Sequence, residues 1–473
     1  MQARLRMAMN TEAHFRRTQK QFTSLLLAIL FGVSLAGAGD VGLCNYEVWI
    51  VDQSDSNNGS ALIGYGGYIH IFKNSDFNCP DATVDLGAET AQLCFERTGA
   101  YPVRPHMVFF NPAGSHATLS FVTSGHVVIF RAKDRKPLTC FRTTPGFNGQ
   151  RQAHASVPTR DSKYIIVANQ NGKMVERINV DWEREDFVHD LNATLALYGN
   201  CTTPNGLPCE SPGLRPDNAP VCTPTLANPT LVFVTLRGGG LFVLDYTKTP
   251  LQIVAEYDNS TIGANGCGGV SAKNYMYINS GGGTTSNLYE FKVYKLPTTG
   301  YSSANAPNTP VPKKIADDST GDRDAHYAGI LYNKRTNPTY FWQPDRAQSV
   351  IDVFSFKNDK FVNRIDLKAT NLSTDPTPDA LVISPTMAYA FVSLRGPIPL
   401  SADPHVSTGS SPGLGVLEVQ HYGRNARLAS ITSITNIVNG TNRADPHGLD
   451  LRVTSDFCNV AYLGRRQALM TNL

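Results

Sequence analysis

The sequence carries no strong charge of either sign. Its 42 Lys and Arg nearly match its 39 Asp and Glu, giving a formal net charge of +3 with charged residues at 17%. A dedicated nucleic-acid binder normally shows a concentrated basic stripe, so this balance argues against nucleic acid as a partner. Long apolar runs are absent after Asp40, so the mature chain offers no bilayer span. Two common catalytic signatures are missing as well. No Gly-x-Ser-x-Gly elbow surrounds a candidate serine nucleophile. The glycine-rich phrases "RGGGL" and "SGGGTT" lack the Lys-Ser/Thr ending of a phosphate loop and open no helix. They read as turns in which glycine supplies a positive φ.

The N-terminus has a different character. "MQARLRMAMNTEAHFRRTQKQ" is basic and polar, and "FTSLLLAILFGVSLAGA" is apolar and ends in a small-x-small site, Ala36-Gly37-Ala38. Residues 1–38 are therefore expected to be a signal peptide, with 39–473 as one secreted domain. The alternative is an uncleaved signal anchor. Nine cysteines lie between Cys44 and Cys458. In an exported chain most should be paired, and an odd number leaves at least one without an intrachain partner. Asn-x-Ser/Thr sites at Asn58, Asn192, Asn200, Asn259, Asn371 and Asn439 permit glycosylation.

A loose repeat runs through the chain. "HMVFFNPAGSHATLSFVTSGHVVIFRA" and "HASVPTRDSKYIIVANQNGKMVERINV" share one plan. A Pro- or Asp-containing turn leads to a short strand, a polar turn, a strongly apolar strand, a Gly turn and a third strand. Related copies begin near Val221, Cys267, His326, Asp379 and His447. Gly and Pro, 39 and 29 in number, punctuate these units. Short antiparallel strands repeating every 45 to 70 residues predict an all-β fold, a seven-bladed β-propeller, with eight blades as the alternative. "YEVWIVDQS" and "GGYIHIFK" lack a first strand of their own, while "HGLDLRVTSDFCNVAYLG" is an incomplete last unit. The two ends are expected to share one blade and close the ring, with Cys44–Cys458 as a candidate lock.

The phrase "PDALVISPTMAYAFVSLRG" resembles the repeat of the YVTN-type, lactonase-like propeller family. In that family a Pro-Asp or Pro-His turn leads to a strand, then Ser-Pro, then an aromatic-Val strand. The likeness is spread over 45–464 in degenerate copies. It implies the fold. Some relatives of the repeat open sugar lactones, which makes a lactonase-like hydrolase one expectation.

First strands of a propeller line its central channel. His106, His154, His326 and His447 each stand just before such a strand, so they are expected to converge at one mouth. Val221 or Cys222, Cys267 and Asp379 fill the other slots. Four imidazoles with a thiol form a ligand set suited to copper, zinc or iron, as in an oxidoreductase. Cys267 would then be the odd cysteine, acting as a ligand. Second strands return to the same mouth and carry Arg237, Arg346, Arg395 and Arg465, with Asn169 and Gln170 from another blade. Guanidiniums suit carboxylates and phosphates, which points to a small anionic molecule. The plainer alternative pairs each Arg with an inter-blade carboxylate such as Asp322, Asp324 or Asp445. A lactonase needs a general base, and His326 with Asp324 or His447 with Asp445 are the candidates. A third expectation is a non-catalytic module that binds an extracellular protein partner.

Overall fold

The computed structural model describes residues 44–281, 290–301, 309–318, 322–333, 337–401 and 404–455. The expected leader, Cys458 and Arg465 lie outside the described residues. Seven sheets are arranged as the blades of a β-propeller. Blade 1 joins the two ends of the chain. Its innermost strand is Pro446–Val453, followed outward by Tyr46–Asp52, Tyr68–Lys73 and Ala82–Asp85. Blades 2 to 7 follow in sequence over 105–142, 153–196, 220–257, 270–318, 329–366 and 378–433. The starts expected at His106, His154, Val221, Cys267, His326, Asp379 and His447 each fall at, or just before, an innermost segment.

Ring closure is a ladder of antiparallel pairs running from Tyr46–Val453 to Ile50–Leu449. Asp52 anchors it by accepting the backbone N–H of Asp445 at 2.8 Å and of Ser54 at 3.0 Å. The closing strand covers the inner edge of Tyr46–Asp52, which would otherwise be open to a foreign strand.

Both faces of each blade pack against a neighbour, so its strands read as continuous apolar runs. In blade 2, Val127, Val128, Ile129 and Phe130 are all buried. Val128 and Phe130 pack with Trp49 and Ile69 of blade 1, while Val127 and Ile129 pack with Ile165 and Val167 of blade 3. Burying each such side chain stabilises the fold by about 1.5–3 kcal/mol. The same alternation recurs around the ring.

Blade 4 departs from the plan because Pro220 and Pro224 remove two ladder donors from its inner segment. That segment still pairs: Val221 N–H donates to Thr235 O at 2.8 Å, and Thr235 N–H to Cys222 O at 3.1 Å.

Disulfides join Cys94 to Cys140, Cys201 to Cys209 and Cys222 to Cys267. Cys44 is also disulfide-bonded. Among the described residues the free thiol is Cys79, which is exposed. This corrects the assignment of Cys267 as the odd, unpaired cysteine. The inner segments of blades 4 and 5 lie side by side, bringing the Cys222 and Cys267 Cα atoms to 5.2 Å, within bridging reach. Such bridges fit an oxidising environment. No helix among the described residues is long and apolar enough to cross a membrane.

Candidate functional site

The innermost strands do not begin as regular ladders. In blade 2 the register shifts between Pro105 and Met107, and in blade 3 between Ala153 and Ala155. In blade 7 it shifts between Pro378 and Leu381. The residues inside these bulges are His106, His154 and Asp379. A bulge bends the strand and re-aims a side chain, here at the channel mouth. At the seam, Gly448 allows the blade 1 strand to approach blade 2. A Cβ there would stand 2.3 Å from the His106 carbonyl oxygen.

The four imidazoles come together as a chain. His154 Nε2 lies 3.2 Å from His106 Nε2. The His106 and His447 rings meet edge to face at 4.1 Å, and those of His447 and His326 lie 5.6 Å apart. Gln53 sets the proton pattern. Its Nε2 donates to Ser401 Oγ at 2.8 Å and to Asp445 Oδ2 at 3.2 Å. Its Oε1 therefore accepts from His106 Nδ1, at 2.9 Å. His106 Nε2 is then the bare nitrogen and accepts from His154 Nε2–H. This leaves His154 Nδ1 as a lone pair. It lies near the Val221 carbonyl without the alignment of a hydrogen bond.

Asp379 lies beneath the chain, completely buried. Its Oδ1 is 2.5 Å from His326 Nδ1 and its Oδ2 is 3.2 Å from His447 Nδ1. These contacts lie off the ring N–H directions, so the attraction is electrostatic rather than a hydrogen bond. Arg395 Nη1 reaches the same carboxylate at 2.5 Å and Arg346 Nη1 at 3.4 Å. Burial alone would raise the Asp379 carboxyl, but electrostatic coupling to the His447 and His326 rings and to the Arg395 and Arg346 guanidiniums holds it well below the usual range. Burial pushes His106 and His447 well below the ordinary imidazole value, and His154 down to about 3. These three rings are neutral at pH 7.

The four histidines line a cavity of about 430 Å³ together with Arg104, Arg151, Arg237, Arg346, Gln152 and Gln170. No carboxylate is among its lining residues within the described part of the chain. Arg237 is partly committed, to Asp217 at 2.5 Å and Asn171 Oδ1 at 3.0 Å. Arg346 pairs with Asp324 at 2.5 Å. Arg395 lies below the cavity, fully buried between Asp379 and a bidentate contact with Asp445 at 2.7 and 2.8 Å. Asn169 is buried as well, donating to Glu176 Oε1 and Thr144 O. Asp324 and Asp445 are thus occupied by arginines, and Asp379 is the carboxylate that meets the imidazoles.

Arg104 and Arg151 are additions that the sequence argument does not single out. Arg104 Nη1 donates to the Leu400 carbonyl at 2.7 Å, and Arg151 Nε is buried with no partner. A signal exists: "VRPH", "RQAH" and "RDAH" each place an arginine shortly before the histidine. The first two arginines reach the cavity, while Arg323 of the third turns away to Asp345 and Asp352, each at 2.7 Å.

Below the histidines the channel is closed by Tyr327, whose hydroxyl lies 3.7 Å from Met107 Sδ, and by the Cys222–Cys267 bridge. Beyond that partition the opposite mouth is a smaller, apolar cavity of about 190 Å³ lined by Phe109, Val157, Leu381 and Leu449.

No protein-family model matches the chain, and no curated protein matches it. Among solved structures, the chain is similar to a Lactobacillus plantarum protein at 9% identity and a TM-score of 0.53, covering 86% of this chain and 99% of that one. It is similar to a candidate 6-phosphogluconolactonase from Bacteroides fragilis at 11% identity and a TM-score of 0.50, covering 86% and 98%. It is also similar to the periplasmic gluconolactonase of Pseudomonas aeruginosa at 12% identity and a TM-score of 0.50, covering 87% and 99%. At these identities the likeness is one of fold.

Proposed function

We propose that the channel mouth binds a small polyhydroxylated acid or its lactone and opens the lactone by general-base hydrolysis. The observation that carries this reading is Asp379, a buried carboxylate shared by His326 and His447 beneath a cavity lined with arginines. Two of the similar folds are named for gluconolactonase-type activity, and this supports the choice of substrate class.

The roles follow from the contacts. Neither Nε2 of His326 nor that of His447 has a partner among the described residues, and one of them takes a proton from water. Asp379 stabilises the imidazolium that forms. The water oxygen attacks the lactone carbonyl. Arg346 and Arg237 face the developing oxyanion, which is stabilised most strongly in a site with few competing waters. The ring oxygen leaves with the proton held by the imidazole. Arg104 and Arg151 hold the carboxylate of the product. Export of the chain, glycosylation and a small-molecule rather than a protein partner belong to the same proposal.

A copper, zinc or iron centre held by all four histidines is the weaker reading. His106 uses Nδ1 on Gln53, and His106 and His154 use Nε2 on each other. Among the described residues, the His, Cys and carboxylate ligand atoms that lie mutually within 4.8 Å belong to His154, Cys222 and Cys267.

The test is ring opening of glucono-δ-lactone by the purified protein, followed as proton release, with gluconate binding measured by calorimetry. Opening above the spontaneous rate that His326→Gln and Asp379→Asn both remove supports the reading. Neither binding nor acceleration would overturn it.

A further inference from the structure

We infer that the Cys222–Cys267 bridge masks a soft-metal site, which reduction by a dithiol opens to zinc or copper(I). The ligands are the two sulfurs and His154.

The three residues come from three consecutive blades. Their ligand atoms already lie within 4.8 Å of one another, and all three are buried or nearly so. His154 Nδ1 is buried and makes no aligned hydrogen bond, with the Val221 carbonyl as its polar neighbour. A bare, buried nitrogen beside two sulfurs is costly as it stands and useful once a cation is present. Two thiolates and one imidazole form a recognised zinc set that leaves a fourth position open, and thiolates also select copper(I). Cys267 lines the histidine cavity, so the open position faces that cavity. Cys222 lines the apolar mouth on the other side, so the bridge can be approached from both ends of the channel. While the bridge is closed, its sulfurs carry no thiolate charge and are poor ligands for either ion.

The chemistry balances. A dithiol transfers two electrons and two protons, the sulfur–sulfur bond breaks into two thiols, and the dithiol closes into a cyclic disulfide. Metal binding then displaces the two thiol protons into the buffer. The Cα atoms stand 5.2 Å apart, so side-chain rotation can separate the sulfurs without moving the blades. His326, His447 and Asp379 take no part, so this inference does not rest on the lactone reading.

The test uses the full exported chain. The protein is reduced with dithiothreitol, desalted under nitrogen and titrated with cobalt(II) as a spectroscopic stand-in for zinc. One equivalent is expected to give a near-ultraviolet sulfur-to-cobalt charge-transfer band, which zinc abolishes. The oxidised protein should give none. His154→Gln, which keeps the bridge, should weaken cobalt binding at least tenfold after reduction. Cys222→Ser should remove the band, and a Cys94→Ala/Cys140→Ala variant should keep it. No band in the reduced wild type, whether that chain stays folded or melts, would overturn the inference. So would a band unchanged in His154→Gln, since the sulfurs would then belong to another site. Lactone opening by the oxidised protein is unaffected by either result.

Discussion

Asp379 Oδ1 lies 2.5 Å from His326 Nδ1, across the interface between blades 6 and 7. Two arginines share that carboxylate, so its charge serves both the site and the fold. Asp379→Asn should therefore cost stability as well as activity, by about 3–5 kcal/mol for breaking a buried pair. Denaturant unfolding checks the first effect and proton-release kinetics the second. His326→Gln should lose lactone opening with a much smaller change in midpoint.

Arg104 and Arg151 line the cavity, and among the described residues neither forms a salt bridge, Asp55 acting on Arg104 only through a longer-range attraction. Replacing either with Ala should weaken gluconate binding about tenfold, the value of a charge-assisted hydrogen bond. The unfolding midpoint should hardly move. Calorimetry at two salt concentrations checks this, and the loss should shrink at high salt.

Stability should fall as the pH drops below about 6.5. Burial lowers His70 to about 4 and His126 and His154 to about 3, and His106 and His447 are also pushed down. The unfolded chain binds those protons near pH 6.5 while the native chain refuses them, so acid favours unfolding. Burial raises Asp52 to about 7 and Asp345 to about 6, which works in the opposite sense over the same window. The histidines outnumber them, and each contributes about 1.4 kcal/mol per pH unit. Urea midpoints between pH 7 and 5 test the slope, and His126→Gln should flatten it.

Gly448→Ala should disturb both ring and site. The added methyl would stand 2.3 Å from the His106 carbonyl oxygen and 2.8 Å from the Met107 Cα, neither of which can swing aside. Overpacking of this kind costs about 1–3 kcal/mol. Thermal unfolding measures the loss, and reduced gluconate affinity would report the displaced His106.

Removing the Cys94–Cys140 bridge should cost about 4 kcal/mol, from a loop of 46 residues. It ties the helix Ala91–Thr98 to the outermost strand of blade 2, far from the cavity. The Cys94→Ala/Cys140→Ala variant should unfold earlier yet keep its activity at low temperature.

The blade count and the shared terminal blade are legible in the sequence because each unit repeats a local signal. A proline or aspartate turn, an apolar run buried on both faces and a glycine turn need only neighbouring residues. The convergence of His106, His154, His326 and His447 is legible for the same reason, since each occupies one position of the repeat. Partner choice is not. Asp324 and Asp445 precede histidines by two residues, yet their carboxylates face the guanidiniums of Arg346 and Arg395. Asp379 meets His326 instead, because a bulge turns it across a blade interface. Cys267 shows the same limit. Its partner Cys222 is fixed by the adjacency of two blades, and nothing in the local spacing of either cysteine announces it.

The innermost strand of blade 1, Pro446–Val453, carries His447 and is also the strand that shuts the ring. A ribosome that has finished six blades has made every arginine of the cavity but not the final imidazole. A chain clipped or stalled before Pro446 would present an open sheet edge and an incomplete mouth at the same moment. Ring closure and the last imidazole are thereby lost together, and excision of that strand should silence the protein in a single step.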